Sequence, residues 1–415
     1  MYISDLALHD FRSYREVVLE FSPGVVTFIG ENGQGKTNLV EAIGYLATFS
    51  SHRVAADAAL VRQGANAGVI RAKVNRGSSD TMVELEILTG KANRARINRG
   101  NARPADLLGI VRAVTFAPED LELVKGDPAA RRRFLDDLMV QFRPRLGAVR
   151  AEYDKVLRQR GALLKTMAKA KRRGGYYDEA ALDVWDAQLI RFGSQIIAAR
   201  AEIVAGLRPF VEEYYTAVSA GRGLARIDYA ANLDVRRGWD LPEPHELNSD
   251  DAEVRQSARD KVAAHERDAQ DVEATARLFG ETLQQWRADE IDRGVNLVGP
   301  HRDDLALSLG TLPAKGFASH GESWSYALAL RLGSWKLLRS HSSGDWADNE
   351  EPILILDDVF AELDSRRREQ LARIVTEAEQ VFVTAAVGED LPELGGTRFV
   401  VHDGTVQHVE EPGDD

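Results

Sequence analysis

The chain has 415 residues, 44% hydrophobic and 28% charged, with a net charge of −12 and no cysteine. That length can bury a large core and split into two or more domains, and the missing cysteine excludes disulfides, thiolate catalysis and cysteine-ligated metals. No apolar run approaches the ~20 residues that span a bilayer, and the N-terminal Met-Tyr-Ile-Ser-Asp-Leu lacks the basic and apolar regions of a secretory signal, so a cytoplasmic protein without a membrane partner is expected. The acidity is segregated. Residues 131–173 carry 14 Lys/Arg against 4 Asp/Glu, residues 91–103 carry five bases and no acid, and residues 241–292 carry 14 acids against 6 bases. A patch, not the total, sets the field that a polyanion meets, so the net charge does not exclude nucleic acid.

In chain order, residues 1–8 and 16–21 read as strands, followed by a turn at Ser22-Pro23-Gly24 and a third strand at 25–29. This strand ends at Gly30, and Gly30, Gly35, Lys36 and Thr37 fit G-x-x-x-x-G-K-[ST]. A loop that wraps a triphosphate with backbone N–H groups must lose its side chains where it approaches the phosphates. The helix N-terminus behind it adds a positive dipole. Lys36 supplies a charge for the β/γ-phosphates and Thr37 a hydroxyl for Mg²⁺. Residues 67–75, 81–89 and 95–98 alternate and predict an antiparallel sheet laid on a nucleotide-binding core. Asp127-Pro128 predicts a helix start, with Asp as N-cap and Pro at the first helical position.

From there to about residue 290 the chain is mainly helical, with a break at Gly174-Gly175. Leu182, Trp185, Leu189, Phe192, Ile196, Ala199 and Ile203 form one heptad-like seam. Ala258, Val262, His265, Ala269, Val272, Ala276, Phe279, Leu283 and Trp286 form another. Both fit the buried faces of a compact helical lobe, and a short antiparallel arm is the alternative. His265 is read as packing or rim. Residues 222–250 hold a possible strand and a polar loop, and the α/β pattern resumes at Asn296. Residues 342–351 predict a polar loop, 353–356 and 381–384 buried strands, 398–401 the start of a terminal hairpin, and the stretch from Glu410 an acidic tail.

The strand at 353–356 ends in Asp357 and Asp358. Asp357 is the natural Mg²⁺ carboxylate, and Asp358 stands where a general base or water-orienting group belongs. Lys36 and Asp357 lie far apart, so a large insert separates two halves of one sheet. Upstream, Ser319-His320-Gly321-Glu322 opens an amphipathic helix, and a Ser and Gly there form a second anion cradle. The plain alternative makes Ser319 an N-cap. A spare cradle predicts two subunits head to tail, each closing on the other's ATP.

The order of phosphate loop, Ser-x-Gly, Asp-Asp and Ala361-Glu362-Leu363-Asp364 resembles ABC-type ATPases. The details are similar to the bacterial recombination mediator family RecF, relatives of SMC heads. The residues that carry this are Phe11-Arg12-Ser13-Tyr14, Gly30 to Asn38, Ser51-His52-Arg53, Pro118-Glu119-Asp120, Gly126-Asp127-Pro128, Arg131, Arg132, Phe134, Leu135, Asp136, the Gly-Pro-His-Arg-Asp-Asp run at 299–304, and Leu356 to Asp364. The resemblance implies an α/β, SMC-like P-loop head (1–125 and 291–415) with an inserted helical lobe (126–290). It implies a weak, DNA-stimulated ATPase of recombinational repair and replication restart. ATP would drive a homodimer that clamps single-stranded, gapped or double-stranded DNA and works with the mediators RecR and RecO to load the recombinase. An ATP-gated protein scaffold and an ABC transporter subunit are the alternatives.

For the site, the resemblance implies nucleotide contacts from Arg12 (base or ribose), Gly30, Asn32, Gly33, Gly35, Lys36, Thr37 and Asn38. Thr37 and Asp357 would hold Mg²⁺, while Asp358, Lys36 and Glu119, on the Q-loop counterpart, form the catalytic set. Ser319, Gly321 and Glu322 would act in trans, with Asp364 in the D-loop. Three features depart from the pattern: Ser-His-Gly-Glu at 319–322, where glutamines are expected to flank Gly321; Gly161 for Asn; and Thr384 at a switch position often held by His. Glu322 beside a γ-phosphate would weaken a closed dimer unless it points away. DNA contact is expected from Arg94, Arg96, Arg99 and Arg103 on the small sheet, and from Lys169, Lys171, Arg172 and Arg173 at a helix end. A solvated face is the alternative for any one of them. Arg131 to Arg133 and Arg366 to Arg368 are expected to be structural or dimer-facing.

Overall fold

The computed structural model describes residues 1–415 except 52, 55, 220–222, 341–350, 389–390 and 410–415. His52, most of the expected polar loop at 342–351 and the tail from Glu410 therefore lie outside the described residues. The chain forms two compact units. The first is Met1–Leu121, Ala217–Ala220 and Ala327–Asp415; the second is Glu122–Thr216 and Gly221–Tyr326.

The first unit holds two six-stranded sheets. One runs Thr405–Val409, Thr397–His402, Gly24–Ile29, Gln380–Ala385, Ile353–Leu356, Ala113–Phe116. Its neighbours are parallel except for the terminal hairpin. Ile353–Leu356 and Gln380–Ala385 are buried throughout, as the unbroken apolar runs of parallel strands require. The other sheet is antiparallel: Tyr14–Glu20, Tyr2–Phe11, Ala67–Arg76, Ser79–Leu88, Arg94–Ile97, Gly100–Ala102. Here alternation sends Ile70, Ala72, Val74, Val83, Leu85 and Ile87 into the core. Helix Lys36–Thr48 contributes Leu39, Val40, Ile43 and Leu46 to the same core. Phe21 packs edge-on against Phe28, Phe382 and Phe399.

The second unit contains helices Pro128–Phe142, Arg145–Arg172, Ala252–Gln270 and Val272–Arg293, most of Asp183–Ser219, and a three-stranded sheet of Ala225–Ala230, Asp304–Leu309 and Leu312–Pro313. Asp127 caps Pro128–Phe142 by position only. Its carboxylate bonds Lys315 at 3.2 Å rather than the helix amides. The first predicted seam is buried at Leu182, Leu189, Ile196, Ala199 and Ile203. The second is not one helix. Asp271 accepts from the Glu273 and Ala274 amides at 2.9 and 3.0 Å, which starts a new helix and leaves Val272 exposed. His265 stacks on Trp239 with centroids 3.7 Å apart.

The stretch 291–326, expected with the head, belongs to the second unit. The reason is pairing. Asp304–Leu309 runs antiparallel to Ala225–Ala230, and Asp303 and Asp304 are held by arginines of neighbouring helices. Buried Arg200 donates to Asp136 at 2.7 Å, to Asp303 at 3.2 Å and to the Pro300 carbonyl at 2.7 Å. Arg160, fully buried, bonds Asp186 at 2.5 Å, Glu290 at 2.6 Å and Asn296 at 2.7 Å. A Cβ on Gly161 would stand 3.2 Å from the Asn296 amide, so the asparagine expected there would crowd this network.

Candidate functional site

The phosphate loop sits between strand Gly24–Ile29 and helix Lys36–Thr48, and its glycines answer to geometry. Gly33 and Gly35 have φ of +86° and +110°, backbone that side chains rarely adopt. A Cβ on Gly35 would also stand 2.8 Å from the Tyr14 hydroxyl, and one on Gly30 would stand 2.2 Å from the Val401 carbonyl oxygen. Tyr14 donates to the Gly35 carbonyl at 3.2 Å, and burial raises its phenol pKa. Gln34 accepts from the Asp403 amide at 2.6 Å, pinning the loop tip to the terminal hairpin.

Lys36 is 3% exposed. Its Nζ donates to the carbonyls of Gly30 (2.6 Å) and Glu31 (3.1 Å) and to Asn32 Oδ1 (3.5 Å). These are neutral acceptors of the loop itself, so the ammonium lies inside the cradle with its charge available to a phosphate. Thr37 Oγ1 donates to Asp357 Oδ1 at 2.9 Å. The two are 320 positions apart, and the parallel pairing of their strands through Gln380–Ala385 brings them together. Thr384 donates its one hydroxyl proton to the same Asp357 oxygen at 2.6 Å and accepts from the Asp358 amide at 2.9 Å. Its 3.4 Å approach to Asp358 Oδ1 is secondary.

Asp358 has φ +50°, a left-handed conformation outside the usual range for a residue with a side chain. Burial raises its carboxyl pKa, the Asp357 charge adds to this, and Lys36 opposes it. Glu119 lies exposed in a short 3₁₀ turn, Pro118–Asp120, and pushes in the same direction as Asp357. Its neighbour Asp120 is structural, accepting from the Ala117 amide at 3.0 Å and from Arg331 at 2.5 Å.

Arg12, expected at the base or ribose, is fastened within the protein. It donates to both oxygens of Glu41, at 2.7 and 2.5 Å, and to the Ala59 carbonyl at 3.0 Å. Glu41, 1% exposed, also accepts from Ser51 at 2.5 Å. The sequence reading passed over this carboxylate, although an acid on the buried face of an apolar helix was the signal. Asn38 donates to Ser13 and accepts from Arg53, at 2.8 and 2.9 Å.

Ser319, Gly321 and Glu322 lie in the second unit. Glu322 turns back: its carboxylate accepts from the Ser319 amide at 2.8 Å while Ser319 Oγ accepts from the Glu322 amide at 3.3 Å. This reciprocal capping box holds the Glu322 pKa below its usual value. Ser-x-x-Glu was legible as such a box and went unread. Asp364 caps helix Ser365–Val375 by accepting from the Arg367 amide at 3.0 Å.

The expected DNA cations divide. Arg94 faces Glu86 at 3.6 Å, Arg96 pairs with Glu84 at 3.1 Å, and Arg103 with Asp106 at 2.8 Å. The acid-free run is thus matched by acids on the adjacent strand Ser79–Leu88 and in the following turn. Arg99 is exposed at a left-handed turn position. Lys171 pairs with Asp292, whereas Lys169, Arg172 and Arg173 are exposed.

The family model for the RecF/RecN/SMC N terminal domain matches residues 2–395. The chain is 56% identical over 415 residues to the DNA replication and repair protein RecF of Beutenbergia cavernae, covering 99% of this chain and 100% of that one. It is 51% identical over 412 residues to the protein of the same name from Streptomyces avermitilis, again covering 99% and 100%. The chain belongs to the RecF family. Among solved structures, the recombination mediator protein RecF-ATPrS of the RecFOR pathway superposes with a TM-score of 0.80 at 24% identity, covering 99% of this chain and 98% of that one. An SMC head bound to the C-winged helix domain of ScpA gives 0.50 at 16% identity, covering 99% and 97%. At these identities the likeness is one of fold, that of an α/β SMC-like P-loop head with further helical structure. Among the described residues no helix is long and apolar enough to cross a membrane.

Proposed function

We propose that this RecF-family chain is an ATP-dependent DNA-binding protein of replication and recombinational repair, in which ATP joins two copies around DNA and slow hydrolysis releases them. The observation that carries this reading is the Thr37–Asp357 contact at 2.9 Å, which unites the phosphate loop and the acidic strand end in one site. The residues fit Mg²⁺ and ATP: a buried ammonium held only by loop carbonyls and an amide oxygen, glycines where side chains cannot stand, and a carboxylate bound by two hydroxyls. Thr37 and Asp357 would hold the metal, which when bound neutralises charge on the phosphate oxygens. Lys36 binds the β/γ-phosphates. Asp358, next to Asp357 and held in a left-handed backbone, orients water and takes its proton as general base. Arg12, fixed by Glu41, positions the start of the helix and lies beside the nucleotide.

In the dimer, Ser319 and Gly321 of one copy would complete the partner copy's site. Glu322 stays ionised, as its lowered pKa requires, but its capping box would turn the carboxylate toward the Ser319 amide and away from the γ-phosphate. The relatives' names and the RecFOR pathway of the solved neighbour support DNA and the mediators RecR and RecO as partners, and in this reading DNA stimulates a weak ATPase. Size-exclusion chromatography with light scattering, with and without ATP and gapped DNA, tests this. The wild type should dimerise with ATP, Lys36→Ala should stay monomeric, and Asp358→Asn should hold the dimer longer. An ATP-dependent Lys36→Ala dimer would sink the switch. An ATPase rate indifferent to DNA would favour a protein scaffold, for which the acidic 241–292 stretch offers a surface.

A further inference from the structure

Helix Arg145–Arg172 carries no acid from residue 155 onward. Arg158, Lys165, Lys169 and Arg172 recur at intervals of seven, four and three, which places them on one face. All four are exposed. None forms an ion pair among the described residues, and half-buried Asp154 feels Arg158 only at a distance. Lys171, on the opposite face, is paired with Asp292. The C-terminal helix dipole accounts for Lys169 and Arg172 but not for Arg158 and Lys165, which lie two or more turns inside.

At these two inner positions the surface is concave. A groove of about 410 Å³ is lined by Arg158, Gly161, Lys165, Val295 and Arg302, among others. Arg302 donates Nε to the Asn296 carbonyl at 2.8 Å, which fixes its guanidinium beside the groove. Three cations thus converge on one depression with no carboxylate in its lining. The face from Arg158 to Arg172 runs about 21 Å at 1.5 Å per residue. That is about six phosphates of one DNA strand at 3.4 Å each.

We propose that this groove and helix face, rather than the Arg94–Arg103 sheet, hold a DNA phosphate backbone on the second unit. The inference rests on the DNA-binding reading above. It assigns the contact to Arg158, Lys165 and Arg302, with Lys169 and Arg172 continuing the track. The partner is nucleic acid rather than an acidic protein because the cations follow a line at regular helical spacing.

The test is fluorescence anisotropy of labelled gapped duplex against full-length protein across a salt series, for wild type, Arg158→Gln/Lys165→Gln, Arg158→Glu/Lys165→Glu/Arg302→Gln, and Arg94→Glu/Arg96→Glu. Retention of a fluorescent ATP analogue reports folding. The neutral pair should weaken binding about tenfold and lower the slope of log affinity against log salt by about 2. The triple variant should weaken it further, and the sheet variant should change little. Wild-type binding with an unchanged neutral-pair slope would overturn this inference while leaving the DNA reading intact. Absence of wild-type binding would overturn both. Unchanged DNA binding with lost retention of polyglutamate would assign the face to an acidic protein instead.

Discussion

One Asp-Asp pair opens strand Asp304–Leu309 and another follows strand Ile353–Leu356, and the two are wired differently. Asp303 accepts from Arg200, from the Asn232 amide at 2.7 Å and from the Tyr229 hydroxyl, while Asp304 takes both arms of Arg131 at 2.7 and 2.8 Å. Asp357 accepts from two threonine hydroxyls, and Asp358 is held in a left-handed backbone with its proton affinity raised. A carboxylate gripped by guanidinium is a fastener, since breaking the grip strands a buried charge. A carboxylate held by hydroxyls can exchange partners at little cost. The difference lies in the residues that arrive from elsewhere in the chain.

The comparison breaks first at Arg200. Arg200→Met should leave Asp303 buried without its cation and Asp136 with Arg150 alone, and cost about 3–5 kcal/mol, read as a lower denaturant midpoint. A change under about 1 kcal/mol would mean that the fastener picture is wrong. At the other pair, Asp358→Asn should cut kcat about 10²-fold or more while ATP binding persists. A normal rate in Asp358→Asn would remove it as the base.

His301 sharpens the contrast through pH. Burial lowers its pKa to about 3, and its ring nitrogen meets the Tyr153 hydroxyl at 2.8 Å. The neutral ring therefore contributes stability that is present above the unfolded value near 6.5 and is lost as pH falls toward 3. Between pH 6.5 and 4.5 the wild type should lose about 2 kcal/mol from this group, and His301→Gln should show a flatter profile in the same urea titration. The smallest effect belongs to the capping box: Glu322→Ala should cost about 1 kcal/mol in thermal or urea unfolding. If the same variant also tightened the ATP-dependent dimer, the Glu322 charge would still reach the γ-phosphate despite its box.

The glycine loop and the acidic strand end that it meets were legible because their requirements are local. Gly33 and Gly35 are needed by backbone conformation, Lys36 and Thr37 by position behind the loop, and Asp357 by the end of an apolar strand. What stayed hidden depends on partners distant in sequence. Glu84, Glu86 and Asp106 blunt the basic run at 94–103 through strand and turn pairing that composition cannot reveal. Glu41 claims Arg12 across 29 positions. The seam through Val272 kept its period across a helix break, because a capping Asp271 need not disturb the apolar spacing. Residues 291–326 looked like a return to the head because they restore an α/β pattern, yet their strand pairs with Ala225–Ala230.

The Gly30 contact with Val401 bears on how the protein is made. The first glycine of the loop packs against a carbonyl of strand Thr397–His402, and Gln34 near the loop tip holds the Asp403 amide. Between them in sequence lie the whole second unit and the strand Gln380–Ala385, which separates Gly24–Ile29 from Ile353–Leu356 in the sheet. The loop and the strands that seat it are thus far apart in the chain. A nascent chain stalled before residue 380 lacks both the central strand and the wall behind Gly30, so it has no nucleotide pocket.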